Sequence, residues 1–175
     1  VDGKNLVSRV KKQSGGTCWT HGTMAAVEGN LLLTNEWKNN EESDEPNMAE
    51  YHLDWWNGFN RHYNEDILPS SAGLTVHEGG DYRVAAAYLS RGGAVRENDG
   101  QSFNSAPKHH DDSFHTYYVR DIEWLTAGKN NETIEQIKTA IMENGVIGTA
   151  LDWSDDYYNS DDNTFYQPAS SQSEP

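Results

Sequence analysis

Hydrophobic residues in the first half of the chain recur every three or four positions in three segments, a spacing that places side chains on one face of a helix. The spacing predicts one helix over 18–34, a second that opens at Asn47 as its N-cap, and a third over 81–90. Their apolar faces are Met24, Val27 and Leu31; Met48, Tyr51 and Trp55; and Val84, Ala87 and Tyr88. The polar segments 39–46 and 67–80 predict loops.

Strand and helix patterns alternate in the second half of the chain. After the polar, irregular residues 96–114, alternation over 117–125 predicts a strand. Asn131 predicts the N-cap of a fourth helix that ends at Gly145, and residues 146–153 predict another strand. The apolar face of this fourth helix is Ile134, Ile137 and Ile141. Helices first and strands later indicate an α+β fold with two segregated layers.

The composition excludes several classes of protein. The 175 residues include 13 Lys and Arg against 28 Asp and Glu, a net charge of −15, and such an acidic surface repels nucleic-acid phosphates. No run of about 18 apolar residues predicts a membrane span. Six Trp and nine Tyr indicate a folded chain, and the length fits a single domain.

The single cysteine, Cys18, stands where a glycine-rich turn becomes the first predicted helix. The helix dipole and the free N–H groups there favour the thiolate, which is the reactive form. The small residues Gly16 and Thr17 let a substrate backbone approach closely, and Gln13 together with the Cys18 N–H would hold an oxyanion. The alternative is a small buried hydrophobe, the usual fate of a lone cysteine, but the surrounding residues favour the nucleophile.

Residues 10–19, VKKQSGGTCW, resemble the nucleophile motif of the papain-like cysteine peptidases, the C1 family. Weaker similarities follow in the family's order. Residues 47–53 resemble its second helix, Glu78-Gly79-Gly80 its Gly-Gly substrate strand, and residues 137–146 its passage into the β lobe. The matches span residues from about 10 to 153, most of the chain, and the absence of the family's common disulfide cysteines resembles some bacterial members.

The resemblance implies a papain-like two-lobed α+β fold formed as one catalytic domain over residues 1–175 and incomplete at its C-terminal end. Residues from about 1 to 115 would form a mainly helical lobe, and residues from about 116 to 175 part of an antiparallel β lobe, with a cleft between the lobes. The implied activity is that of a cysteine endopeptidase, which hydrolyses peptide bonds through a thioester acyl-enzyme. No metal or organic cofactor is implied.

The resemblance also implies the site residues. Cys18 would be the nucleophile and Gln13 the oxyanion-hole donor. Gly79 and Gly80 would pair with the substrate backbone as a short extended strand, and Thr149 would line the main side-chain pocket. The implied substrate-binding residues are Gly16, Thr17, Gly79, Gly80 and Thr149.

Three features depart from the family pattern. The spacing from Gln13 to Cys18 is one residue shorter than in the usual motif, and the family's common disulfide cysteines are absent. The family's general base is a His on the β lobe, oriented by an Asn, and neither is recognisable in this chain. The chain therefore has a predicted nucleophile but no recognisable general base.

The chain's own histidines do not supply the missing base. His21 lies near Cys18 on the first predicted helix, at a position that normally holds a packing residue. His77 precedes the Gly-Gly segment and either lines the cleft or is solvated. The others are predicted to be packing, surface or loop residues: His52, His62, His109, His110 and His115.

A second polypeptide from the same precursor, carrying the catalytic His and Asn, is therefore predicted to complete the β lobe. The tail 169–175 has the Ser, Gln and Glu composition at which proteolytic nicking concentrates, and Val1 in place of Met indicates a processed N-terminus. Such a zymogen-derived enzyme is predicted to be secreted, periplasmic or on the cell surface. The alternatives are a catalytically inactive papain-like binding module and a truncated fragment.

Two polar clusters contain residue types that bind metal ions. The first offers oxygen ligands for Ca²⁺ but lacks EF-hand spacing, which favours a solvated loop: Asp152, Asp155, Asp156, Asp161 and Asp162. The second matches no known ligand spacing: His109, His110, Asp111, Asp112 and His115. Asn131-Glu132-Thr133 is a glycosylation sequon.

Overall fold

The computed structural model describes residue 3 and residues 5–64 and 73–168. The predicted tail 169–175 lies outside the described residues, as does the part of the predicted 67–80 loop that precedes residue 73. Six α-helices occur in the described part: α1 Cys18–Thr34, α2 Glu36–Asn39, α3 Glu50–Trp56, α4 Tyr82–Gly92, α5 Glu97–Gly100 and α6 Asn131–Asn144. A 3₁₀ helix, Asp155–Tyr157, follows α6.

Two small antiparallel sheets accompany the helices. Strand β1 Ala94–Val95 pairs with β2 Thr116–Tyr117, so that Ala94 faces Tyr117. Strand β3 Tyr158–Asn159 pairs with β4 Thr164–Phe165 as a hairpin. The mixture of helices with antiparallel strands agrees with the predicted α+β class.

Helices α1 and α4 agree best with the sequence pattern. The bounds of α1 are those predicted, and α4 begins one residue after Asp81, whose carboxylate accepts a hydrogen bond from the Arg83 N–H at 2.6 Å. Helix α6 begins at Asn131, so the prediction that Asn131 is its N-cap is wrong by one residue. The cap is Asn130, whose side-chain oxygen accepts from the Thr133 N–H at 2.8 Å.

The predicted N-cap at Asn47 is wrong. Helix α3 begins at Glu50, and its N-cap is Ala49. Residues before it stay extended because they pair with another part of the chain: the Ala49 N–H donates to the Val95 carbonyl at 2.8 Å. Asn47 is buried, and its side-chain amide donates to the Glu97 carboxylate.

Both strands predicted in the second half are wrong in extent. Only the first residue of 117–125 belongs to a strand, and no residue of 146–153 does. Strands need a paired neighbour, whereas residues 146–149 pack on α1 instead. The Tyr82 hydroxyl donates to the Thr149 carbonyl at 2.8 Å, and Val146 lies against Gly29.

The hydrophobic core of the described residues lies among α1, α3 and α4. Its buried members are Trp19, Met24, Leu31, Trp37, Met48, Leu53, Ala85, Tyr88, Leu89 and Ala94. Between residues 116 and 168, by contrast, Ala140 is the one fully buried hydrophobic residue. In the parts of the chain that the structure covers, no helix is long and apolar enough to cross a bilayer.

A buried cluster of charges joins the N-terminal segment to α1 and α3. The ammonium group of Lys11 lies 2.5 Å from a Glu28 oxygen and 2.6 Å from a Glu50 oxygen. Both carboxylates are 1% exposed, and the lysine side chain is 18% exposed. Burial by itself would lower the pKa of Lys11, but the charges and hydrogen bonds of Glu50 and Glu28 outweigh it and raise that pKa above its ordinary 10.5.

Candidate active site

Cys18 is the first residue of α1, and its side chain is exposed. It is therefore not a core residue. Thr17, the N-cap, makes no side-chain capping bond, because its hydroxyl donates to the Ser14 carbonyl at 2.9 Å. The first N–H groups of a helix have no acceptor within it, so a thiol at this position lies beside uncapped donors and the positive end of the helix dipole.

The turn before Cys18 is hydrogen-bonded to two residues that are distant in sequence. The Gly16 N–H donates to the His77 carbonyl at 2.6 Å, and the Ser14 N–H donates to the Tyr51 hydroxyl at 3.1 Å. Gly15 has a φ of 65°, and a Cβ there would lie 2.7 Å from the same His77 oxygen. Glycine meets both requirements, a left-handed backbone and a close approach.

Gly79 and Gly80 lie beside this turn, although they are about sixty residues from it in sequence. A Cβ on Gly16 would lie 2.9 Å from the Gly79 nitrogen, and a Cβ on Gly80 would lie 2.2 Å from Cε2 of Trp19. Among the described residues, no heavy atom outside 78–80 lies within 4 Å of the position that a Gly79 Cβ would take. The glycine pair thus offers a stretch of backbone beside the turn that precedes Cys18.

Gly80→Ala is expected to destabilise the protein by about 1–3 kcal/mol, because the added methyl group would overlap the buried Trp19 ring. Urea unfolding followed by tryptophan fluorescence measures the change. Gly92→Ala is the matched control, since a Cβ there meets nothing within 4 Å and residue 92 is the last of α4. Equal midpoints for the two variants would contradict the packing described here.

Thr149, the predicted pocket residue, lies on the Tyr82 side of α1. The Tyr82 hydroxyl, which donates to the Thr149 carbonyl, lies 2.5 Å from the position of a Cβ on Gly22, one helical turn after Cys18. Burial raises the pKa of Tyr82, and the negative charge of the Cys18 thiolate raises it further. This interaction places the tyrosine within electrostatic reach of the thiol.

Gln13, the predicted oxyanion donor, is exposed and folds back on the same turn. Its side-chain amide donates to the Gly15 carbonyl at 3.2 Å. The amide carries a second N–H, which this bond leaves available to an oxyanion.

His21 and His77, the two histidines nearest the turn, are both held by hydrogen bonds. His21 Nδ1 lies 2.8 Å from the Thr17 carbonyl oxygen, one turn back along α1. His77 uses both ring nitrogens, with Nδ1 2.6 Å from an Asp54 oxygen and Nε2 2.9 Å from the Phe103 carbonyl oxygen. The His77 ring is therefore mostly buried, and both of its nitrogens lie against oxygens of residues other than Cys18.

The other histidines belong to different parts of the structure. His52 is buried, bonded to the Tyr88 hydroxyl at 2.7 Å, and burial lowers the pKa of its ring to about 4. His115 bonds to the Glu42 carboxylate at 2.8 Å, and His109 stacks on Trp56. Within residues 5–64 and 73–168, no three His, Cys, Asp or Glu side chains converge as metal ligands would. The acidic segment after residue 151 forms the 3₁₀ helix and the β3–β4 hairpin.

Three residues of the site were not singled out by the sequence. The Asp54 carboxylate is hydrogen-bonded to the His77 ring. The Tyr51 hydroxyl accepts from the Ser14 N–H, and the Tyr82 hydroxyl donates to the Thr149 carbonyl. The one available signal was Asp54 itself, a carboxylate between Leu53 and Trp55 in a segment with an apolar face. The two tyrosines resemble ordinary core residues until the chain is folded.

The chain was compared with known proteins in three ways. No family model matches it, and no curated protein matches it. Among solved structures, it is similar to a digestive procathepsin L 3 from the larval midgut of Tenebrio molitor, at 25% sequence identity and a TM-score of 0.43. The similarity covers 62% of this chain and 30% of the procathepsin chain, so it spans under a third of that protein's length.

Proposed function

We propose that this chain carries the nucleophile of a papain-like cysteine endopeptidase. The observation that supports this best is the exposed Cys18 thiol at the uncapped N-terminus of α1, where the preceding turn lies against the Gly79 backbone. A thiol in such a position is activated as a nucleophile, and an extended peptide can pair with exposed backbone beside it. In this proposal the described residues up to about 115 belong to the helical lobe.

The proposed reaction has two steps. The Cys18 thiolate attacks the carbonyl carbon of the scissile peptide bond, and the Cys18 N–H with the Gln13 amide holds the oxyanion. The C–N bond breaks as an imidazolium gives its proton to the leaving amine, which leaves a thioester. Water then attacks the thioester and gives a proton to the imidazole, so that the carboxylic acid leaves and the thiolate returns.

The proposed imidazole comes from a second polypeptide of the same precursor, which also carries the orienting Asn. Two features support this. The two histidines nearest Cys18 are tied to other groups, and apolar side chains that a completed β lobe would cover are more than half exposed: Tyr118, Trp124, Met142, Leu151, Trp153 and Tyr166. The proposed enzyme acts on peptides outside the cytoplasm, secreted, periplasmic or on the cell surface.

Iodoacetamide labelling of the native protein tests the nucleophile. Cys18 is the single cysteine, so the label reports it alone, and the same chain unfolded in guanidinium is the control. An activated thiolate at pH 6 is expected to react at least about tenfold faster in the folded protein. Equal rates in the folded and unfolded chain would reject an activated nucleophile.

Intact-mass analysis of the denatured natural material tests the second polypeptide. A co-purifying chain with a His and a later Asn is expected. A single mass equal to that of these 175 residues, with no peptide hydrolysis, would contradict the two-chain enzyme. The result would then favour a catalytically inactive papain-like binding module or a fragment. The hydrogen bonds that hold His21 and His77 to groups other than Cys18 are the observation that favours this alternative.

A further inference from the structure

His77 has an unusual backbone conformation for a residue with a side chain. Its φ is 68°, in the left-handed region that residues other than glycine rarely occupy. Such a conformation costs free energy and persists where the surrounding structure holds it. The residue lies immediately before the Glu78-Gly79-Gly80 segment, beside the turn that precedes Cys18.

Asp54 holds His77 in this conformation through two hydrogen bonds to one oxygen. Its Oδ2 accepts from the His77 backbone N–H at 3.0 Å and lies 2.6 Å from Nδ1 of the ring. The Asp54 side chain is 2% exposed, and the His77 ring stacks on Phe103 with 4.0 Å between ring centroids. Backbone and ring are thus both fixed from the buried side.

His77 in turn holds the turn that presents the thiol. Its carbonyl oxygen accepts the Gly16 N–H at 2.6 Å, two residues before Cys18. The backbone after it, at Glu78 and Gly79, lies 2.9 Å from the position of a Cβ on Gly16. A change in the left-handed conformation of His77 would therefore move both the nucleophile turn and the glycine pair.

We infer that Asp54 and His77 are a positioning pair, in which the buried carboxylate fixes the His77 backbone and the His77 carbonyl fixes the turn before Cys18. Neither residue touches the substrate or the thiol. The catalytic part of this inference rests on the proposed function. The coupling of Asp54 to the Gly16 amide is a property of the folded chain and is tested separately.

Amide hydrogen exchange at Gly16 tests the coupling. Asp54→Ala is expected to raise the Gly16 exchange rate by about tenfold or more and to leave amides in α6 unchanged. Asp54→Asn is expected to stay within about threefold of the wild type, since its amide oxygen can accept the same two hydrogen bonds. Asp99→Ala is the matched control, because Asp99 accepts from the His115 N–H and from Arg96 and makes no bond to His77.

Activity measurements on the complete two-chain enzyme separate positioning from simple loss of folded protein. Per titrated Cys18, Asp54→Ala is expected to lower kcat by about tenfold with KM within about twofold. A merely structural role would lower the titre and leave kcat unchanged. If Asp54→Ala does not fold, His77→Ala makes the same test, because alanine loses the ring's bond to Asp54 and disfavours the left-handed backbone.

A Gly16 exchange rate within twofold of the wild type in Asp54→Ala or His77→Ala overturns the positioning pair. The positioning pair is also overturned if Asp99→Ala raises the Gly16 exchange rate as much as Asp54→Ala does. An inactive wild type whose Cys18 is labelled no faster than in the unfolded chain overturns the proposed function instead, and the exchange rates still decide the coupling.

Discussion

Cys18→Ala is expected to abolish peptide hydrolysis by the complete two-chain enzyme, lowering kcat/KM by a factor of at least about 10⁴. Without the sulfur no thioester forms, and the remaining groups can only bind the substrate and stabilise an oxyanion. The exposed position of Cys18 predicts a thermal midpoint close to that of the wild type. A fluorogenic peptide assay at equal concentrations of folded protein measures the loss.

Thr34→Ala is the control for this substitution. Thr34 is exposed at the other end of α1, and its hydroxyl donates to the Asn30 carbonyl within the same helix. We expect its kcat/KM to lie within about twofold of the wild type. If Cys18→Ala retained a tenth of the wild-type activity, Cys18 would not be the nucleophile.

Lys11→Met is expected to destabilise the protein by about 3–5 kcal/mol, the second large effect. The substitution leaves the carboxylates of Glu28 and Glu50 buried without a positive charge between them. The Met48 N–H at 2.8 Å and the Ser8 hydroxyl still bond to Glu28, but they do not neutralise it. Urea unfolding at pH 7 measures the difference in the free energy of unfolding.

Lys12→Met is the matched control, because Lys12 is the next residue and is exposed. We expect it to change the free energy of unfolding by less than about 0.5 kcal/mol. Adding Glu28→Gln and Glu50→Gln to Lys11→Met should restore part of the lost stability, since no buried charge then remains. Equal effects of Lys11→Met and Lys12→Met would show that the cluster does not stabilise the fold.

The same cluster predicts a pH dependence at the alkaline end. The pKa of Lys11 is higher in the folded protein than its ordinary 10.5, so the folded state holds the proton more tightly than the unfolded state. The resulting stability is fully present below pH 10.5 and is lost as the pH rises through the folded pKa. Above pH 10.5 the wild type should therefore lose its advantage over Lys11→Met; a constant difference up to pH 12 would contradict the raised pKa.

Some elements were predictable because their signals are local. Helix α1 repeats its apolar residues at helical spacing and follows a glycine pair, so Cys18–Thr34 could be predicted at both ends. Asp81 caps α4 through a bond to a residue two positions away. The N-cap of α6 was predicted one residue late, because Asn130 and Asn131 are adjacent and either could serve.

The strands were not predictable because a strand depends on its partner. Alternation over 117–125 and the apolar run of 146–153 look like strands in the sequence. One residue of the first pairs, and residues 146–149 of the second pack against α1 and Tyr82 instead of pairing. The prediction that Asn47 is an N-cap is wrong for a similar reason. Asn47 and Glu50 have the spacing of a capping box, but the hydrogen bond from Ala49 to Val95 keeps their segment extended.

The sequence by itself determined the α+β class, the helix that begins at Cys18, and the glycine-rich turn before it. All three depend on residues close together in the chain. The tertiary structure alone decided that Gly79 lies against Gly16 and that Asp54 holds His77. Contacts between residues tens of positions apart carry no periodic pattern, so their geometry is decided only when the chain packs.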